Sequence, residues 1–355
     1  MDYITRMKEK VKELKKKENV TILAIESSCD ETSIAVVVNG RKVLSNVISS
    51  QIEIHTRFGG VVPEVASRNH IRAINNVLTE ALEKANITLK DIDAIAVTYG
   101  AGLIGALLVG VNFAQALAYS LDIPLIPVNH IKGHLAANYI TFEELEPPFV
   151  CLIISGGHTS LFEIKSYTEQ TLIGQTLDDA VGEAFDKVAR VVGLGYPGGP
   201  KVEKMAKEGT PNITLVKQNA TKGTFNFSFS GIKTAVINYV NRLAQKGEEV
   251  NKADLCASFQ TFVIKELTEK TLGAAKKYGY DKVVLAGGVS ANQTLKAYIT
   301  SEGEKQNIKV FAPPPVLCTD NAAMIGAAAY YEYIAGTRHG LDLNAVPNLK
   351  LGERI

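Results

Sequence analysis

Residues 22–38, ILAIESSCDETSIAVVV, decide how the rest of the chain is interpreted. Two runs rich in β-branched residues, 22–25 and 33–38, flank a short polar turn, which is the pattern of a β-hairpin. The same pattern recurs at 149–164, where FVCLII, the turn SGGHTS and LFEI follow one another. We therefore interpret the chain as two copies of one structural unit.

Each hairpin is followed by the same order of strand, glycine-rich turn and helix. The first copy has this pattern at 93–106 and 124–134, and the second copy has it at 281–295 and 309–331. Strands that alternate with helices favour an α/β fold in which helices cover a sheet. The opening hairpins predict that each sheet is mixed.

The duplication predicts three segments. These are an N-terminal helical extension at 1–20, a first domain at 21–146, and a second domain at 147–355 with an insertion at about 170–250. The extension carries apolar residues at helical spacing and lysines on its other faces, so it is predicted to be an amphipathic helix. It either docks on a partner or on RNA phosphates, or packs on its own domain.

Composition limits the class of protein. With 355 residues, 46% of them hydrophobic and 21% charged, the chain is large and apolar enough for roughly two folded domains. Its net charge of +1 provides no general attraction for nucleic acid or membranes, so any RNA contact must be a local patch. Four scattered cysteines and an opening without an apolar signal region favour a cytoplasmic location. The apolar stretch 103–121 contains Gly, Asn and Gln, which favours a buried helix over a membrane span.

A metal site is predicted from His130 and His134. Four residues apart on a helix, their Cβ atoms lie roughly 5–6 Å apart, close enough to share an ion. Asp320 occupies the corresponding strand-to-helix passage of the second copy, so the pseudo-symmetry is expected to bring it opposite the histidines. This ligand set suits Fe(II) or zinc and leaves positions open for substrate. A zinc-protease motif is excluded because Ile131 stands where its glutamate belongs.

Glycine and hydroxyl residues mark candidate nucleotide-binding turns. Each hairpin turn carries several: Ser27, Ser28 and Thr32 in the first, and Ser155, Gly156, Gly157 and Thr159 in the second. Such turns can offer N–H and O–H groups to phosphate oxygens, although ordinary turns have the same composition. Gly287 and Gly288 follow a strand and precede Asn292, which would let a flat base approach the backbone. The alternative is an ordinary glycine-rich turn, and a Rossmann site is disfavoured because GxGxxG is absent.

A series of motifs between Ile22 and Arg354 resembles the bacterial TsaD family of tRNA threonylcarbamoyladenosine transferases. The motifs are ESSCDET, GAGLIGALLVG, NHIKGHLAAN, ISGGHTSL, GEAFDKVAR, YPGGP, FSFSGIKT, LAGGVSAN and CTDNAAMIG. The resemblance implies a duplicated actin/Hsp70/sugar-kinase-like (ASKHA) fold with two mixed-sheet domains around a nucleotide cleft. It also implies transfer of the threonylcarbamoyl group of threonylcarbamoyl-AMP to N6 of adenosine 37, with release of AMP, in tRNAs that read codons beginning with adenine.

The resemblance also implies roles for particular residues. One divalent metal, Fe(2+) before Zn(2+), is expected on His130, His134 and Asp320. Archaeal and eukaryotic relatives carry a metal-binding tyrosine where this chain has Ile153, which leaves the remaining coordination to substrate or water. The residues expected to bind substrate are Ile153, Ile154, Ser155, Gly156, Gly157, Asp186, Gly199, Glu203, Gly287, Gly288 and Asn292.

The family also implies partners, namely a metal-free TsaB-like paralogue and a TsaE-like P-loop ATPase. The apolar segment 105–120 is either the surface shared with the paralogue or ordinary core. Asp30 and Glu31 either take the proton of the attacking amine or only shape the phosphate pocket, and we favour the second role. Two rival interpretations are a small-molecule kinase or ATPase of the same fold, and a non-catalytic nucleotide-sensing scaffold.

Overall fold

The computed structural model describes residues 2–215 and 221–351. Met1 of the predicted extension, residues 216–220 of the predicted insertion, and the end of the resemblance beyond 351 lie outside them. Contacts divide the chain into two compact units. Unit 1 comprises Met1–Glu146, Ser166–Glu169 and Pro314–Ile355, and unit 2 comprises Pro147–Lys165 and Gln170–Pro313.

Unit 1 is built on a mixed five-stranded sheet with the order β3-β2-β1-β4-β5. β1 pairs antiparallel with β2, and it pairs parallel with β4. The strands are β1 Thr21–Glu26, β2 Glu31–Val38, β3 Lys42–Ser50, β4 Ala94–Gly100 and β5 Leu125–Asn129. The helices are α1 Tyr3–Leu14, α2 Ile52–Thr56, α3 Pro63–Ala85, α4 Ile104–Leu121, α5 His130–Thr141, α11 Pro315–Cys318 and α12 Ala322–Ala335.

Helices cover both faces of this sheet, because the side chains of each strand point alternately to the two faces and are buried on both. Ile25 and Val97 belong to a core cluster that α3 and α4 complete on one face. α12 lies on the other face, where a Cβ atom at Gly326 would come 2.6 Å from Val37. This close approach explains why residues 314–351 fold with unit 1, although the domain division predicted from the sequence places them in the second domain.

Unit 2 repeats the topology. Its sheet has the order β10-β9-β6-β7-β8, with β6 antiparallel to β7 and parallel to β9. The strands are β6 Phe149–Ile154, β7 Thr159–Ile164, β8 Gln170–Gln175, β9 Lys282–Ala286 and β10 Lys309–Phe311. The helices are α6 Val181–Val191, α7 Gly198–Ala206, α8 Ser230–Gln245, α9 Lys252–Tyr278 and α10 Gln293–Glu304. The predicted duplicated α/β fold with two mixed sheets is confirmed.

β8 changes the interpretation of the insertion. It pairs antiparallel with β7, as β3 pairs with β2 in unit 1. The repeated sheet therefore extends into the segment at about 170–250 that the sequence suggested was inserted. Within the described residues of that segment, α6, α7 and α8 follow β8 and surround the core of unit 2.

The N-terminal helix packs on its own unit. Tyr3, Met7 and Val11 are buried, and the Tyr3 hydroxyl donates to the Ile123 carbonyl at 2.6 Å. Arg6 pairs with Asp122 at 2.9 Å. Of the two interpretations of the extension, the structure therefore supports packing on its own domain.

α4 contains the apolar stretch noted in the sequence. By length and composition alone it is long and apolar enough to cross a membrane. Leu107, Val111 and Ala114 on its inner face are buried in the core of unit 1. The outer face is exposed, and includes Tyr119 at 66% exposure.

Candidate metal centre and substrate-binding turns

His130 and His134 lie on the first turns of α5, which begins where β5 ends. The Asn129 side chain accepts a hydrogen bond from the Ile131 backbone N–H at 2.9 Å and so caps the helix. One turn of helix separates the two imidazoles, whose ring centroids are 4.7 Å apart. Their placement follows directly from the HIKGH spacing.

Asp320 completes the cluster from the segment between α11 and α12. Its Oδ1 atom lies 3.2 Å from His134 Nε2 and 3.5 Å from His130 Nε2. α12 can approach α5 this closely because Gly133 faces Ile325, where a Cβ atom would come within 2.6 Å. One ligand atom from each of the three side chains lies within 4.8 Å of the others. Ligand atoms about 2.0–2.2 Å from one tetrahedral ion would have similar separations, so the donor set fits a divalent metal.

Glu26 supports His130 from behind. Its carboxylate lies 3.1 Å from His130 Nδ1 and accepts a hydrogen bond from the Thr98 hydroxyl at 2.6 Å. The Ser28 hydroxyl also lies 3.1 Å from Nδ1. Glu26 is fully buried at the end of β1. A carboxylate on Nδ1 orients the ring so that Nε2 faces Asp320, as outer-shell carboxylates do for metal-binding histidines.

The protonation behaviour of the cluster reflects an excess of acidic groups. Burial opposes a charge on His130, but Asp320 and Glu26 outweigh it and raise the pKa of the imidazole to about 9. Burial would raise the pKa of Glu26, yet the charge and hydrogen bond of His130 bring that pKa below its ordinary value. Two carboxylates around a histidine pair are therefore an environment that favours a cation.

Asp30 and Glu31 lie next to this cluster, Asp30 in the β1–β2 turn and Glu31 at the start of β2. Burial, followed by the charges of Asp320 and Asp30, raises the pKa of Glu31 to about 9. The Ser50 hydroxyl donates to the Glu31 carboxylate at 3.0 Å. A bound metal ion would oppose this rise and shift Glu31 toward the ionised form.

In unit 2, the turn between β6 and β7 has an open tip. Ile153 and Ile154 are fully buried strand residues, whereas a Cβ atom at Gly156 or Gly157 would have nothing within 4 Å. The Ser155 N–H donates to the His158 carbonyl at 2.8 Å, which closes the turn. The backbone of the two glycines is therefore accessible to a flat or charged group.

A second turn, between β9 and α10, lies against the end of β6. Gly287 has φ +86°, and a Cβ atom there would lie 2.5 Å from the Ile154 carbonyl oxygen. Gly288 faces open space. Asn292 caps α10 by accepting from the Leu295 N–H at 2.9 Å, and its side-chain amide donates to Gln260 at 2.9 Å.

Asp186, Gly199 and Glu203 connect the helices next to these turns. Asp186 accepts a hydrogen bond from the Gly198 N–H at the start of α7 at 2.6 Å, and burial raises its pKa. Gly199 has open space around its Cα. Glu203 accepts from the Gln293 N–H at 2.9 Å, at the start of α10.

Comparison with known proteins shows the family to which the chain belongs. Residues 42–327 match the family described as TsaD, tRNA N6-adenosine threonylcarbamoyltransferase. The chain belongs to the TsaD family. A relative from Clostridium perfringens is 62% identical over 94% of this chain and 98% of its own length, and one from Clostridium botulinum is 59% identical over 95% and 100%. Both carry the name tRNA N6-adenosine threonylcarbamoyltransferase, so this TsaD-family chain is a transferase that acts on tRNA.

Solved structures show the fold alone. HypF from T. kodakarensis aligns with a TM-score of 0.58 at 15% identity, covering 90% of this chain and 48% of its own. The (R)-2-hydroxyglutaryl-CoA dehydratase component A of Acidaminococcus fermentans aligns with a TM-score of 0.52 at 13% identity, covering 89% and 99%. The ASKHA-type fold expected from the TsaD resemblance is confirmed.

The structure brings the predicted residues into two groups. His130, His134 and Asp320 form one cluster, but all three belong to unit 1. The expectation that Asp320 would come from the second domain is wrong, because α12 packs on the sheet of unit 1. The other group, in unit 2, lies where the parallel strands β6 and β9 end.

Sequence reasoning missed Glu26 and misread the hydroxyls beside it. Ser27 donates to the Ala106 carbonyl at 2.9 Å, and Thr32 bonds to His70 at 2.8 Å. Both hydroxyls are buried and already bonded within the protein. The β1–β2 turn therefore supports His130 and the surrounding core, and it does not present these two hydroxyls to a phosphate. The signal available in the sequence was Glu26 itself, a charged residue at the end of an otherwise apolar strand.

Proposed function

We propose that the chain transfers the threonylcarbamoyl group of threonylcarbamoyl-AMP to N6 of adenosine 37, with release of AMP, in tRNAs that read codons beginning with adenine. The observation that supports this best is the His130, His134 and Asp320 cluster with Glu26 behind it. A kinase of the same fold has no need of two imidazoles and a carboxylate on one ion. A tRNA substrate supports a location in the cytoplasm.

The cluster would hold one divalent ion, Fe(2+) first and Zn(2+) second. Nitrogen ligands with one carboxylate suit both metals. When bound, the ion supplies Lewis-acid stabilisation of negative charge on the donor. Glu26 and Ser28 keep the His130 ring oriented, so the ligand set is arranged before substrate arrives. Ile153 supplies no ligand atom, which leaves the other coordination positions to substrate or water.

The turns of unit 2 would bind the adenylate. The open backbone at Gly156, Gly157 and Gly288 accepts a base or phosphate without steric conflict. Asn292 and Glu203 fix the start of α10, and Asp186 fixes the start of α7 beside Gly199. Ile153 and Ile154 act as the rigid strand that sets the position of the Ser155 turn. These residues position the donor, which as a mixed anhydride is already activated.

Asp30 and Glu31 would shape the pocket around the phosphate rather than act as the base. The supporting observation is the hydrogen bond that the Glu31 carboxylate accepts from the Ser50 hydroxyl at 3.0 Å, which fixes this side chain in place as part of the pocket. The attacking adenosine amine is then left to lose its proton to another group or to water.

The protein would work with a TsaB-like paralogue and a TsaE-like P-loop ATPase. The paralogue would cover the outer faces of α3 and α4, where Ile71, Leu108 and Phe113 line an open apolar groove. Phe113→Asp should abolish co-purification with the paralogue and leave metal content unchanged. Retained co-purification would place the paralogue elsewhere.

The direct test is reconstitution. Unmodified tRNA, threonylcarbamoyl-AMP and the partner proteins are incubated with the enzyme, and the tRNA nucleosides are then analysed by mass spectrometry. We expect N6-threonylcarbamoyladenosine at position 37 and one AMP released per modification. Phosphate release from ATP by this chain, independent of tRNA and of threonylcarbamoyl-AMP, would instead indicate the kinase or ATPase interpretation.

A further inference from the structure

Phe58 is an exposed phenylalanine in the segment between β3 and α3 of unit 1. Phe58 has 60% of its surface exposed, and its neighbour Arg57 is also exposed. A single exposed apolar side chain is common and needs no explanation on its own. Three further features of this segment distinguish Phe58.

First, both ends of the segment are attached to the β1–β2 turn, which connects Glu26 to Glu31. At its start, the Gln51 N–H donates to the Asp30 carbonyl at 3.0 Å. At its end, His70 on α3 bonds to the Cys29 carbonyl at 3.0 Å. Residues 51–70 therefore leave from and return to the β1–β2 turn, next to Glu26 and Glu31.

Second, the tip of the segment is held rigidly by a buried histidine. His55 has no exposed surface, and its Nδ1 accepts a hydrogen bond from the Val62 N–H at 3.2 Å. Its carbonyl accepts from the N–H groups of Phe58 at 3.0 Å and Gly60 at 3.3 Å. Backbone fixed in this way loses little conformational entropy when the side chain that it carries binds a ligand.

Third, the exposed Phe58 ring has a cationic neighbour and is followed by open backbone. Gly59 and Gly60 follow it directly, and a Cβ atom at either would have nothing within 4 Å. Among residues 2–215 and 221–351, Arg57 takes part in no ion pair. An open aromatic face beside a guanidinium suits an unpaired RNA base and its phosphate.

We propose that Phe58 stacks on an unpaired base of the tRNA anticodon loop beside the target adenosine, and that Arg57 contacts the adjoining phosphate. The inference rests on the proposed tRNA modification and adds a positioning residue to it. Adenosine 37 lies in a single-stranded loop, so its neighbours are free to leave their stack. Holding one of them on Phe58 fixes the loop relative to the β1–β2 turn.

The test uses a tRNA anticodon stem–loop with 2-aminopurine placed next to the target adenosine, bound to the enzyme with its partner proteins present. Stacking on Phe58 should quench the fluorescence. Phe58→Ala should remove most of that quenching and raise the Kd and KM for tRNA roughly 5- to 150-fold, the range for loss of one base–aromatic stack. The kcat at saturating tRNA and the metal content should stay within about twofold of the wild type.

Two variants make the result specific. Phe58→Tyr retains an aromatic face and should retain quenching and affinity. Ile334→Ala removes a comparably exposed apolar side chain, 46% exposed, from the last turn of α12 and should change neither. Wild-type quenching and affinity in Phe58→Ala would overturn the proposal, as would loss of partner-protein binding with RNA affinity unchanged. The wild-type protein is tested for tRNA modification in the same assay. Modification by the wild type shows that the proposed function holds, so that these outcomes bear on Phe58 alone.

Discussion

The Nε2 atom of His134 lies 3.2 Å from Oδ1 of Asp320, although the two residues come from opposite halves of the sequence. The contact exists because α12 returns to the first sheet and packs on α5 within one compact unit. The three candidate ligands therefore all belong to one compact unit. Their geometry does not depend on how the second unit is positioned.

Replacing Glu26 by glutamine should weaken metal binding. Glutamine keeps the size of the side chain but loses the charge that orients and polarises His130 through Nδ1. Removal of such an outer-shell carboxylate typically costs 10- to 100-fold in metal affinity, and we expect a loss of about that size. Competition with a chelator at constant pH measures it. Thr98→Val, which removes only a donor to Glu26, is the matched control and should change affinity less; equal affinities for all three proteins would remove Glu26 from the site.

Alanine should affect folding stability at Gly287 and adenylate binding at Gly288. At Gly287 the positive φ and a contact of 2.5 Å with the Ile154 carbonyl both oppose a Cβ atom, so Gly287→Ala should destabilise the protein by about 2–4 kcal/mol. At Gly288 nothing lies within 4 Å, so Gly288→Ala should fold normally while weakening adenylate binding. Thermal unfolding and AMP titration measure the two effects. Similar melting temperatures for both variants would argue against the close contact at Gly287.

Asp178 should contribute stability that is lost in acid. Burial alone would raise its pKa, but hydrogen bonds from Ser228, Ser230 and the Phe229 N–H lower it below the usual value. A group with a lowered folded-state pKa stabilises the protein above its unfolded pKa of about 3.9 and loses that contribution as pH falls through the lower value.

Asp178→Asn tests this behaviour through urea unfolding at several pH values. The variant should be less stable than the wild type at pH 7. The difference in unfolding free energy should stay constant down to about pH 5 and shrink below about pH 4. A difference that is the same at pH 7 and pH 3 would mean that the charge of Asp178 contributes nothing.

The sequence alone predicts the duplication, the mixed sheets and the histidine pair, because each depends on local periodicity. The spacing of His130 and His134 on a helix fixes their neighbourhood without tertiary information. The unit to which Asp320 belongs depends on the packing of α12 through Gly326, which no local pattern records. The role of Glu26 was missed for a similar reason. Its partner His130 is distant in sequence and is brought to it only by the parallel pairing of β1, β4 and β5.

The central claim is that His130, His134 and Asp320 hold the one ion on which transfer depends. The most direct measurement is a single turnover from preformed threonylcarbamoyl-AMP to unmodified tRNA, with metal content determined on the same samples. The account predicts about one divalent ion per chain and complete modification for the wild type, with neither ion nor modified nucleoside for His130→Ala. Full modification by a His130→Ala protein that retains no metal would contradict it.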